Sequence, residues 1–194
     1  LLIVEDSPYR EVRFEGTPEP LMSALDRSGR VITLFTFSKI LAPGFRLAWV
    51  TGHPQIIDKI VTAKQSADLC SPPLIQKIAA RYIEKGLLDV NLKKTVELYR
   101  QRRDYMISCF REFMPEGVTW TEPSGGMFLF VTLPPSIDAA VLLEKAIKKK
   151  VAFVSGSVFH CNNEGHNTMR INFSFADKND TCEGVRRLAA TIRE

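Results

Sequence analysis

The chain opens on Leu1-Leu2-Ile3-Val4, and that apolar run stops abruptly at Glu5-Asp6-Ser7-Pro8. A short continuous apolar run ended at once by polar residues fits a strand buried on both faces, as in a parallel sheet. Few features constrain a fold more, because such a strand cannot stand alone. A second apolar, β-branched run occupies residues 31–35 and ends in Thr36-Phe37-Ser38-Lys39. After the turn at Pro43-Gly44, residues 47–50 read as a third strand. Three strands still leave edges and an uncovered face. Polar groups gather at the C-terminal end of the first two strands, the edge at which open α/β sheets bind ligands.

Helical spacing fills the intervals. A short helical stretch lies around residues 21–25, and Ile56, Ile57, Ile60 and Val61 set a helix over 53–66 with Pro54 near its start. Ser71-Pro72-Pro73 breaks the chain before a helix over 74–83. Leu92, Val96, Tyr99, Arg103, Met106, Phe110 and Phe113 step by three or four and predict one long helix over 92–114. Beyond Pro115 the pattern predicts strands over 118–121 and 127–133, around the turn Ser124-Gly125-Gly126. It continues with a helix over 137–149, a strand over 151–154 and an alternating strand over 169–175. Asp180 and Glu183 stand in capping-box spacing at the start of a last helix, which buries Val185, Leu188, Ala189 and Ile192. The fold class is therefore α/β with parallel strands in residues 1–90, a linking helix over 91–114 and a smaller α+β portion in 115–194.

Composition excludes several classes. With 45% apolar and 25% charged residues the chain is globular in character. No stretch approaches the roughly 18 apolar residues of a membrane span. The formal charge of +4 is spread along the chain and supports no nucleic-acid partner. Cys70, Cys109, Cys161 and Cys182 have no short paired spacing, which points to a reducing, cytoplasmic setting. His160, Cys161 and His166 cluster, but in what reads as a solvated loop, so no metal site is expected. Lys148-Lys149-Lys150 reads as a solvated helix end, where positive charge suits the helix dipole.

The chemistry centres on Lys39. A lysine at the C-terminal edge of a sheet can lose solvation and become an imine-forming amine. Thr36 and Ser38 add hydroxyls, and Arg46 adds a planar fork suited to phosphate. Together these would hold a phosphorylated aldehyde beside the amine.

Ser38-Lys39 followed by Pro43-Gly44-Phe45-Arg46 resembles the cofactor-lysine motif of class I/II aminotransferases, the fold type I pyridoxal-phosphate enzymes. Glu5-Asp6-Ser7-Pro8-Tyr9 is similar to that family's strand-end motif, and Met169-Arg170-Ile171-Asn172-Phe173-Ser174 to its carboxylate-binding segment. Ser124-Gly125-Gly126-Met127-Phe128 resembles the opening of its C-terminal domain. Four motifs in the family's order cover nearly the whole chain. Glu5-Asp6-Ser7-Pro8-Tyr9 and Arg13-Phe14-Glu15-Gly16 look most like the branch that handles 2-aminoadipate, aromatic and branched amino acids.

The resemblance implies a role for each matched residue. Lys39 would form the internal aldimine with pyridoxal 5'-phosphate and then act as general base. Asp6 would pair with the pyridinium nitrogen, and Tyr9 would hydrogen-bond the phenolic oxygen. Thr36, Ser38 and Arg46 would bind the phosphate, Thr36 standing where the family usually has Ser. Arg170 would clamp the α-carboxylate of the substrate. The implied activity moves an amino group between an amino acid and a 2-oxo acid, in a homodimer. The family's earlier segment, with its phosphate-binding turn and stacked aromatic ring, is absent from these residues, so residues 1–194 alone are expected to show little activity. Two other outcomes share the same residues. One is a Cβ–S lyase, the other a cofactor-sensing domain of a winged-helix transcription regulator.

Overall fold

The computed structural model describes all residues from Leu1 to Glu194 and divides into two compact units, Leu1–Val96 and Glu97–Glu194. In the first unit, strand β1 (Ile3–Asp6) pairs in parallel with β2 (Val31–Thr36), with Asp6 opposite Leu34. The ladder continues one step further, where Ser7 N–H donates to the Leu34 carbonyl at 3.0 Å. Between them lies the single-turn helix α1 (Met22–Leu25). Its first N–H groups, on Met22 and Ser23, donate to the Glu5 carboxylate at 3.0 and 3.5 Å, and the buried Thr33 hydroxyl reaches the same carboxylate at 3.1 Å. Glu5 thus ties the helix to both strands, satisfying donors that a helix start otherwise leaves orphaned.

Strand β3 (Ala48–Thr51) pairs with β2 antiparallel, Ala48 facing Thr36, so the sheet is mixed rather than wholly parallel. The reason lies in the link. Residues 37–47 double back through a 3-10 turn at Pro43–Phe45, too short and too tight for the crossover that a parallel return requires. Within residues 1–194 the first strand is not covered on both faces. β1 is the edge of the order β1-β2-β3, and Ile3 and Val4 are 45% and 60% exposed. Burial in this unit concentrates on Val12, Val31, Ile32, Thr33 and Ile40. Helices α2 (Pro54–Ala67) and α3 (Pro73–Glu84) each start on a proline, whose missing N–H costs nothing at that position.

Helix α4 (Leu87–Phe113) starts five residues earlier than its apolar stripe suggests and runs across the boundary between the units. In the second unit its last turns bury Arg103, Met106, Ile107, Cys109 and Phe110. Arg103 belongs to the apolar stripe by spacing and is buried by pairing: it meets Asp104 at 2.7 Å and donates to the Pro123 carbonyl at 2.7 Å. A four-stranded antiparallel sheet has the order β4-β5-β7-β6, made of Thr119–Trp120, Phe128–Thr132, Thr168–Asn172 and Val154–Ser155 in that order. Helices α5 (Ala139–Lys148) and α6 (Lys178–Ile192) complete the unit.

Leu129 and Val131 of β5, Met169 of β7, Phe110 of α4, Ala146 of α5 and Ala189 of α6 are fully buried and form one core. Several boundaries differ from the sequence pattern: the strand expected over 169–175 ends at Asn172, and the helix expected over 137–149 spans Ala139–Lys148. Residues 151–153 carry no strand, since pairing of β6 with β7 begins only at Val154. Helix α6 begins at Lys178 and is capped by Asp177, which accepts from Asp180 N–H at 2.8 Å; Asp180 is a first-turn residue, not the cap. No helix is long and apolar enough to cross a membrane.

Candidate functional site

Parallel pairing brings the C-terminal ends of β1 and β2 to one sheet edge, and the antiparallel return delivers the start of β3 to the same edge. Asp6, Tyr9, Thr36, Ser38, Lys39 and Arg46 all lie there, on strand ends or in the turns that leave them. Lys39 is half-buried, with Nζ 5.7 Å from the centre of the Tyr9 ring, the cation above the aromatic face. Two residues 30 apart in sequence thus meet across the strand pair.

The hydroxyl pair is organised by its own turn. Ser38 N–H donates to Thr36 Oγ1 at 3.1 Å, and Thr36 Oγ1 lies 2.9 Å from Ser38 Oγ and 3.3 Å from the Leu47 carbonyl. Thr36 directs its one proton within the turn, so the Ser38 hydroxyl keeps a donor for another acceptor. Arg46 follows the 3-10 turn in the left-handed region, φ 48° and ψ 38°, a conformation that costs a non-glycine residue about 1 kcal/mol or more. Its Nη1 donates to the Pro43 carbonyl at 3.1 Å, and the exposed side chain has further N–H donors to offer. Donors of this kind, a hydroxyl and a guanidinium beside an amine, suit a phosphorylated aldehyde.

Asp6 and Tyr9 border a cavity of ≈ 270 Å³ that Arg10 and Arg13 also line. Arg13 Nε is buried without a hydrogen-bond partner. A Cβ on Gly16 would come within 3.0 Å of Arg13 Nη2, and Gly16 has φ +73°, so a glycine there leaves room for the guanidinium. From sequence, Arg13 counts only as part of a branch signature, since an orphaned nitrogen is visible only in three dimensions.

Arg170 belongs to the second unit. It sits on β7, opposite Phe130 of β5 and Val154 of β6. Its Cζ lies 4.1 Å from the centre of the Phe128 ring and 4.6 Å from that of Phe159, and its Nε is buried without a hydrogen-bond partner. A half-buried arginine with an unfilled donor fits a carboxylate acceptor. Phe128 and Phe159 escape the sequence reading because only the sheet register and a 3-10 turn bring them to Arg170. His166 meets the Asn163 carbonyl through Nε2 at 2.8 Å, a contact that closes its own loop.

Comparison with known proteins identifies the class, the fold type I aminotransferases. The model of aminotransferase class I and II matches residues 1–188, and the chain belongs to this family. It is 50% identical to aromatic-amino-acid aminotransferase 1 of Thermococcus litoralis, covering 100% of this chain and 46% of that protein. It is 36% identical to the 2-aminoadipate transaminase of Thermus thermophilus, covering 100% of this chain and 49% of that protein. Among solved structures, kynurenine aminotransferase of Pyrococcus horikoshii, in complex with PMP, superposes with a TM-score of 0.94 at 51% identity, over 99% of this chain and 48% of that one. The chain spans about half the length of the relatives it matches.

Proposed function

We propose that the protein is a pyridoxal-phosphate-dependent aminotransferase that moves an amino group between an amino acid and a 2-oxo acid. The observation that carries this reading is the convergence of Asp6, Tyr9, Thr36, Ser38 and Lys39 on one sheet edge, with Lys39 Nζ 5.7 Å from the Tyr9 ring centre. Similarity to aminotransferases named for aromatic amino acids, 2-aminoadipate and kynurenine supports a donor drawn from aromatic and longer-chain amino acids.

When bound, the cofactor supplies an electron sink for the carbanion at the substrate α-carbon. The chain's own groups do the rest. Lys39 would hold the cofactor through its Nζ amine and would carry the substrate α-proton as general base. The Asp6 carboxylate would pair with the ring nitrogen and keep it protonated, and the Tyr9 hydroxyl would hydrogen-bond the phenolic oxygen. The Ser38 hydroxyl, Thr36 and the Arg46 guanidinium hold the phosphate, and the Arg170 fork binds the substrate α-carboxylate. The protein acts as a homodimer in the cytoplasm on this reading, in keeping with its resemblance to the family. The regulator and Cβ–S lyase readings keep the same residues; the chain is 29% identical to an HTH-type transcriptional regulator of Bacillus subtilis and 50% identical to the aromatic-amino-acid aminotransferase, which favours the enzyme.

Incubating the full-length protein, loaded with pyridoxal phosphate, with an aromatic amino acid and a 2-oxo acid tests the proposal. Stoichiometric appearance of the new amino acid and the new 2-oxo acid supports it. Release of ammonia and a thiol from a sulfur-containing substrate, without amino transfer, rejects it.

A further inference from the structure

We propose that Phe128 and Phe159 are positioning residues that hold the Arg170 guanidinium between their rings and leave its N–H edge open to a carboxylate. The inference rests on the reading that Arg170 binds the substrate α-carboxylate. The Arg170 Cζ lies 4.1 Å from the Phe128 ring centre and 4.6 Å from that of Phe159. Aromatic faces interact with the flat faces of a guanidinium and contribute no acceptor in its plane. In-plane donors therefore stay available, and Nε is buried with no partner. A carboxylate is planar and meets such a fork edge-on. An arginine held by carbonyls or by an acidic side chain would have spent those donors.

The backbone is built to deliver the second ring. Val154 of β6 pairs with Arg170, and the 3-10 turn Gly156–Phe159 follows β6 directly. A Cβ at Gly156 would lie 1.9 Å from Thr168 Oγ1 and 2.8 Å from the Thr168 carbonyl carbon, so only glycine lets this turn lie against β7. Phe130, opposite Arg170 in the ladder, meets Phe159 edge-on at 6.2 Å and sets its tilt. Phe159 nonetheless remains 45% exposed. Its ring contacts are with Phe130 and with the Arg170 guanidinium.

The test uses the full-length protein loaded with pyridoxal phosphate and compares Phe159→Leu, Phe128→Leu, Phe159→Tyr and Arg170→Gln. Each Leu variant is expected to raise the KM for the amino acid about tenfold with little change in kcat. The Tyr variant, which keeps an aromatic face, restores the KM. Turnover of a primary amine that lacks the carboxylate is expected to be unchanged in the Leu variants. If Arg170→Gln raises the KM and neither Leu variant does, the positioning role is overturned and the carboxylate reading stands. If Arg170→Gln leaves the KM unchanged, the carboxylate reading fails and takes the positioning role with it. Equal losses toward the amine and the amino acid would mark the rings as structural only and overturn the proposal.

Discussion

The two units divide the labour unequally. The second closes a core on itself, with Phe110, Leu129, Val131, Met169 and Ala189 fully buried between its sheet and helices. The first carries nearly all the candidate chemistry on an open edge, while Val4, Trp49 and Leu74 stay exposed. Buried apolar area is the main stabilising term in a fold, so stability and chemistry should respond to different substitutions in this chain. The contrast teaches where a substitution should be felt: at the sheet edge of the first unit in activity, and in the core of the second in stability.

Lys39→Ala should separate the two most sharply. Loss of its amine should lower turnover about 10³-fold or more, with the thermal midpoint of the cofactor-free protein unchanged because Lys39 packs no core. Leu129→Ala should do the reverse and cost about 2–5 kcal/mol in a denaturant titration of the cofactor-free protein, whereas Lys39→Ala should stay within about 0.5 kcal/mol. Equal costs at the two positions would break the comparison. Gly156→Ala forces a Cβ against Thr168 and should cost about 1–3 kcal/mol by the same titration. Asp138 caps α5 by accepting from Ala140 and Val141 N–H groups, and Asp138→Ala should cost about 1 kcal/mol.

The smallest effects are those of pH, and they run in opposite directions for Asp26 and for the neighbouring Tyr105 and Cys109. In the first unit, the Asp26 carboxylate accepts from the Ser28 hydroxyl and from the Ser28, Arg30 and Val31 N–H groups, which hold its pKa well below the usual carboxylate range. A depressed carboxylate contributes stability that is present above its unfolded value and lost as pH falls below about 4. In the second, burial, with neighbouring Cys182 as a further cause, pushes the Cys109 thiol up, and burial together with both cysteines raises Tyr105. Groups raised in the folded state contribute stability that is present below their unfolded values and lost as pH climbs past about 8.5 to 10. Denaturation midpoints recorded across pH should therefore fall in acid, and fall less in Asp26→Asn, where the lowered Glu97 and Glu194 still contribute. The alkaline fall should be smaller in Cys109→Ala than in the parent.

Much of the fold was legible because local rules and tertiary packing agree. Proline at the first helical turn marked α2, and the three-to-four spacing from Leu92 to Phe113 marked α4. The sheet's mixed direction was not legible, because apolar runs carry no sign for strand polarity and the tightness of residues 37–47 had to be seen. Asp177 lost the α6 cap to Asp180 in the sequence reading because both have a suitable residue three positions on. Candidate site residues were readable where they sit in runs, as in Thr36-Phe37-Ser38-Lys39. Arg13, Phe128 and Phe159 were not, since their significance lies in partners distant in sequence or in a missing partner.

The central claim is that the edge formed by β1 and β2 is a pyridoxal-phosphate site built on Lys39. Its most direct test is the visible absorption spectrum of the full-length protein with pyridoxal phosphate, recorded before and after an aromatic amino acid is added, beside Lys39→Ala. The account predicts a visible band that the amino acid discharges, that a 2-oxo acid restores, and that Lys39→Ala does not form by itself. A band of equal strength in Lys39→Ala, or none in the parent protein, would contradict it.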